Sequence, residues 1–154
     1  MTENEGILYI RNQKIRTLYD KDLNVLYTGP YDRWNAFEIS EDYIIFSNGA
    51  YKPEILLDIH GNELDFPSGD IVFKTINGKR LIAVYVRNEP YTRFYDYYTR
   101  ELLFNLDGKL WNSHNEEHIQ MIIDTNSDYG YELNWYDENG NRLDMPEEEQ
   151  LSSF

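Results

Sequence analysis

The sequence predicts an all-β protein of four antiparallel meanders, and three observations predict it. The first is a repeated pattern: an apolar pair, an Asp, a tight polar turn, and a Leu six residues after the Asp. It occurs at Leu18-Tyr19, Asp20 and Leu26, and again at Leu56-Leu57, Asp58 and Leu64. It returns at Phe94-Tyr95, Asp96 and Leu102, and at Trp135-Tyr136, Asp137 and Leu143. The Asp residues stand 38, 38 and 41 apart, and a period in that range marks a repeat architecture. The second observation is composition: aromatics make up 16% with 14 Tyr, and such side chains pack well on a pleated surface. The third is punctuation, since short apolar runs are separated by Asn-Gly, Gly-Pro and Pro-Ser-Gly breaks.

Taken in order, residues 1–6 are polar and read as loose, and Ile7–Arg11 is the first strand. A turn leads to Ile15–Asp20, and the turn after Asp20 to Asn24–Gly29. Gly29-Pro30 breaks the chain before Trp34–Ser40 and Asp42–Ser47, then the hairpin Glu54–Phe66. The third unit runs through Asp70–Ile76, the Asn77-Gly78 turn, Arg80–Val86 and Thr92–Leu106. The fourth holds a weak piece at Lys109-Leu110-Trp111-Asn112, then His118–Asp124 and Glu132–Met145. Tyr43–Ser47, Leu81–Tyr85 and Ile119–Ile123 follow at offsets of 38, as do Trp34, Val72 and Leu110. The three extra residues of the last unit fall in the segment Thr125–Gly130.

The units are therefore 5–30, 31–68, 69–107 and 108–146, with a tail of 147–154, in one domain of 154 residues. The first unit lacks a clear opening strand, which the C-terminal tail could supply to close a ring. Two architectures fit: a small propeller-like ring and an open array of stacked meanders.

The unit around Asp58, with the Gly29–Ser40 stretch between hairpins, resembles the bacterial WG-repeat proteins. Asp58, Gly61 and Leu64 match one part of that family's unit, as do Asp137, Gly140 and Leu143. Pro30, Tyr31, Asp32 and Phe37 match another part, and the Trp-Gly pair of the family's name is absent. The resemblance implies a β-rich repeat scaffold that binds rather than catalyses.

Composition narrows the partner. With 28 acidic and 14 basic residues the net charge is -14, which repels nucleic acid and anionic membranes and attracts a basic protein. Inhibitors, immunity proteins and nucleic-acid mimics share such a balance; the plain alternative is solubility alone. There is no Cys, hence no thiol chemistry. The start, Met1–Ile10, lacks the features of a secretory signal, and no run has the length of a membrane span, so the expected location is cytoplasmic.

Candidate chemistry is sparse. His114–His118 fits H-x-x-E-H, in which His114 and His118 on one helical face could share a zinc while Glu117 activates water, as in a zinc hydrolase. Ser113 and Glu116 would cap that helix, but the repeat register makes 119–123 a strand, and a polar loop is the simpler reading. The four Asp could form an acid–base set, yet each stands at the same place before a turn, with Asn24, Asn62 or Asn141 four residues on in three units. Turn capping accounts for all of them. Asp137–Asn141 has its Gly too early for a calcium loop. No cofactor is implied.

The expected function is a non-catalytic interaction module with an acidic, Tyr-rich surface for a basic protein. Its candidate binding residues are Tyr31, Asp32, Trp34, Tyr91, Tyr97, Tyr98, Trp111, Glu116 and Glu117. Strand alternation puts Tyr95 and Tyr97 on one face and Tyr98 on the other. The alternative is a glycan-binding module that stacks Trp and Tyr on sugar faces.

Overall fold

The computed structural model describes residues 2–4, 7–11, 15–19, 22–30, 36–47, 53–111, 116–124 and 130–144. Tyr31, Asp32, Trp34, His114 and Asp20 lie outside them. The described residues form an all-β, antiparallel structure with no helix. Two compact units are present, Met1–Ile71 and Val72–Phe154.

In the first unit, β1 (Thr2–Asn4), β2 (Ile7–Arg11), β3 (Ile15–Tyr19) and β4 (Val25–Pro30) form one meander in that order. The sequence led us to expect residues 1–6 to be loose, yet Thr2–Asn4 pairs with Ile7–Tyr9. Backbone hydrogen bonding to a good neighbour strand overrides the polar composition of this short edge. A second meander joins β5 (Ala36–Ile39), β6 (Tyr43–Ser47) and β7 (Glu54–Asp58). The expected hairpin return after Asp58 is reduced to a single bridge, Leu57 to Glu63, and the Leu64 amide donates to the Leu56 carbonyl. Pro67 follows soon after, and without an N–H it cannot extend a ladder. All five residues of β6 are buried, so both of its faces are covered.

Glu54, at the start of β7, shows how an acid is handled near this core. Its Oε1 accepts the Ile71 amide at 2.8 Å. Burial pushes its pKa above the ordinary 4.5, the Ile71 hydrogen bond opposes that, and the nearby Asp70 and Glu38 carboxylates push it further up. A folded carboxyl pKa above the unfolded one means that the unfolded chain gives up its proton first. Stability therefore falls as pH rises from 4.5 through the folded pKa. Glu54→Gln keeps the acceptor oxygen and removes the charge. Urea denaturation should show the variant more stable than the parent at pH 7, with the gain gone below pH 4.5.

In the second unit, β8 (Asp70–Ile76, which spans the division), β9 (Lys79–Tyr85), β10 (Tyr91–Asp96) and β11 (Leu102–Asp107) form one meander. A second comprises β12 (Lys109–Leu110), β13 (Ile119–Asp124), β14 (Tyr131–Tyr136) and β15 (Arg142–Leu143). Cross-strand pairing puts Leu81, Ala83, Phe94 and Leu106 on one face of the first sheet. Ile119, Met121 and Tyr136 lie on one face of the second. These two faces meet in a single buried cluster with Ile76, against which Phe104 and Leu110 pack. The Phe94 and Phe104 rings stack at 5.1 Å.

Two devices lock these sheets together. Only Gly108 separates β11 from β12, at φ +90°, with its amide on the Pro90 carbonyl and its own carbonyl on the buried Thr92 hydroxyl, both at 2.8 Å. The other is the Asn77-Gly78 turn, whose φ values of +49° and +81° are those of a type I′ hairpin. The Asn77 backbone N–H donates to the Glu116 carbonyl at 2.7 Å, and its side-chain amide to the Glu117 carbonyl at 2.8 Å and the Glu138 carboxylate at 2.9 Å.

The turns after the recurring Asp are alike where they are described. Asp58 Oδ1 accepts the amides of His60 (2.8 Å) and Asn62 (3.0 Å), and Oδ2 the Asn62 side chain (3.2 Å). Asp137 does the same with Asn139 and Asn141 at 2.9, 2.9 and 3.2 Å. Gly61 and Gly140 supply the left-handed residue, at φ +83° and +82°. The Asp96 turn is a residue longer; its carboxylate accepts Tyr98 and Thr99 amides, and Arg100 is left-handed at +61°. In the first unit Leu23 takes the place of that Gly, at φ +65° and 66% exposed. A left-handed conformation costs a branched side chain about 1–2 kcal/mol, and Gly avoids it. Leu23→Gly should thus raise stability by about 1 kcal/mol in a denaturant titration, the extra chain entropy of Gly offsetting part of the gain.

Candidate functional site

Asp58, Asp96 and Asp137, the recurring Asp among the described residues, each cap their own turn. Asp96 and Asp137 have pKa values below the ordinary 3.8, chiefly because of amide hydrogen bonds from Thr99 and Asn141. For Asp58 burial is the largest influence and acts upward, but the hydrogen bonds from Asn62 and His60 together outweigh it and leave the value lowered. A carboxylate held ionised by its own turn is a poor proton shuttle. His118, one half of the H-x-x-E-H pair, is buried at the start of the segment that becomes β13. No group of three or more His, Asp or Glu among the described residues is arranged to hold a metal ion.

The exposed candidates fall at two places. One is the Asp96 turn at the end of β10. Tyr97 is 1% exposed, so its side chain is an anchor and not the surface contact expected from sequence. The Arg80 guanidinium covers its ring at 3.8 Å, and Phe73 meets it edge-on at 5.6 Å. Tyr98 stands perpendicular to Tyr97 at 5.1 Å, with Arg80 5.7 Å from its centroid, and is 65% exposed. Tyr95 and Tyr97 are buried and Tyr98 is exposed, but β10 ends at Asp96, so the strand alternation expected for this stretch does not extend to Tyr97 and Tyr98, which lie in the turn. Directly after the turn, on the edge strand β11, Leu102 and Leu103 are exposed as well. The sequence reading missed these two Leu. An apolar pair at the start of a strand reads as core unless the strand is known to be an edge.

The other place is the opposite end of β10. Here Tyr91 lies near Arg93, whose guanidinium is 5.8 Å from the Tyr91 ring and holds both Glu89 carboxylate oxygens, at 2.9 and 3.2 Å. A groove of about 450 Å³ opens beside them, between Tyr85, Lys109, Ile122 and Tyr131. The Lys109 ammonium stands 4.6 Å from the Tyr85 ring. Tyr85 and Tyr131 carried no distinguishing mark in the sequence, because only the Gly108 corner brings them to one groove.

Of the other candidates, Trp111, Glu116 and Glu117 are among the described residues. Trp111 is partly exposed, its amide donating to the Gln120 carbonyl at 2.8 Å. The Glu116 and Glu117 side chains are exposed, while their carbonyls receive Asn77. No helix among the described residues is long and apolar enough to cross a membrane. No protein-family model matches the chain, and no characterised protein sequence is detectably similar to it.

Proposed function

We propose that the protein is a non-catalytic interaction module whose partner is a basic protein. The observation that carries this reading is the Asp96 turn. A buried Tyr97 under Arg80 holds Tyr98 outward, and Leu102 and Leu103, just after the turn in the chain, are exposed as well, on a chain of net charge -14. Interfaces are held by a few large anchors, Tyr prominent among them, surrounded by contacts that exclude water. Complementary charge sets the encounter rate, and the acidic surface supplies it. The same reading takes the meanders as units of about 38 residues, stacked like propeller blades or in an open array, and the WG-like pattern as the mark of a binding scaffold.

The test is capture from cell lysate with the tagged full chain, at low and high salt, read by mass spectrometry beside Tyr98→Ala. A basic protein enriched at low salt, lost at high salt and depleted by the variant is the expected result. Capture that ignores both salt and Tyr98, or no capture at all, would overturn the reading.

A further inference from the structure

Besides the surface at Tyr98, we infer that the groove beside Gly108 is a binding site for a neutral saccharide. It lies at the other end of β10, about 20 Å away by the rise of an extended strand, and so does not depend on the partner reading. Its volume of about 450 Å³ is within the range of small-molecule sites. The walls are aromatic and aliphatic: Tyr131 is 70% exposed, and Tyr85, Pro90 and Ile122 continue the apolar lining.

Its charges separate this groove from the rest of the molecule. Glu89 and Asp124 contribute two carboxylates, and Lys109 and the adjoining Arg93 two cations. The lining itself carries a formal charge of -1, from Glu89, Asp124 and Lys109, and Arg93, which lies outside the lining but is paired with Glu89, brings the group to zero, on a chain of -14. Glu89 is paired with Arg93, and the Asp124 and Lys109 that remain are opposite in sign, so neither a cation nor an anion meets a net opposite charge. An anionic ligand would also meet the repulsion of the whole chain. A neutral ring bearing hydroxyls meets neither obstacle. Its C–H face stacks on an exposed tyrosine, while fixed carboxylate acceptors and ammonium or guanidinium donors serve adjacent hydroxyls.

The probes are four neutral oligosaccharides, cellotriose, maltotriose, xylotriose and chitotriose, titrated at millimolar concentration into the isotopically labelled chain. Amide resonances supply the readout. One of the four should shift Lys109, Ile122 and Tyr131 together and leave the Asp96 turn unmoved. Tyr131→Ala, at an exposed position, should keep the remaining spectrum and weaken binding at least roughly tenfold. If none of the four moves these resonances, if Tyr131→Ala binds as well as the parent, or if a lysine-rich peptide is what fills the groove, the assignment is wrong. A failed capture by Tyr98 with a positive titration here, or the reverse, tells the two proposals apart.

Discussion

Gly108→Ala should cost more than about 3 kcal/mol, or prevent folding, while Gly78→Ala should cost only about 1 kcal/mol. The two glycines have similar backbones, at φ +90° and +81°, so the conformational penalty of a side chain is about the same. Their surroundings differ. A Cβ at Gly78 meets nothing within 4 Å. One at Gly108 would collide with the Ile122 carbonyl oxygen and lie 2.8 Å from the Ile123 Cγ1. Backbone cannot step aside as a flexible side chain can, because Ile122 and Ile123 are held in the β13–β14 ladder. The difference between the variants in chemical denaturation therefore isolates steric exclusion from φ strain. Equal costs would mean that β12 does not leave β11 through this corner.

The second large effect is expected at the core. Phe94→Ala should destabilise by about 3–5 kcal/mol, the range for emptying a buried phenylalanine site. Phe94 is 0% exposed, stacks on Phe104, and lies in the cluster made by both sheets of the second unit. The loss should not stay within its own sheet. Amide exchange at Ile119 and Met121, on the facing sheet, should accelerate along with that at Ala83, since both sheets rest on one cluster. Acceleration at Ala83 alone would show two independently stable sheets.

Much of the strand layout was legible, for physical reasons that the particular residues display. Asn77-Gly78 has the backbone tolerance that a type I′ turn requires, and it is flanked by strands as the sequence implied. The run from Leu81 to Val84 is apolar without alternation because both faces of β9 are buried. The capping role of Asp58, Asp96 and Asp137 follows from local chain geometry, so spacing alone revealed it. Contacts set by distant residues were not legible. Tyr97 and Tyr98 are adjacent and chemically identical, and what separates anchor from contact is Arg80, on a neighbouring strand. The groove escaped for the same reason: Tyr85 and Tyr131 lie on different sheets and share a surface only because the chain turns at Gly108. The strand at Thr2–Asn4 was hidden by polar side chains, since pairing there depends on the backbone.

The capped turns also bear on how the protein behaves as a colloid. Ordinary surface carboxylates take up protons near pH 4, and with 28 acidic against 14 basic residues the chain reaches zero net charge in acid. The carboxylates of Asp58, Asp96 and Asp137 are held below that range by the amides they accept. A group with a lowered folded pKa keeps its stabilising effect until pH falls below the unfolded value of 3.8. As acid is added, mutual repulsion between molecules thus disappears while the hairpin ends are still fastened. Molecules that come together at the isoelectric point do so with those turns intact, and raising the pH restores the charge that disperses them.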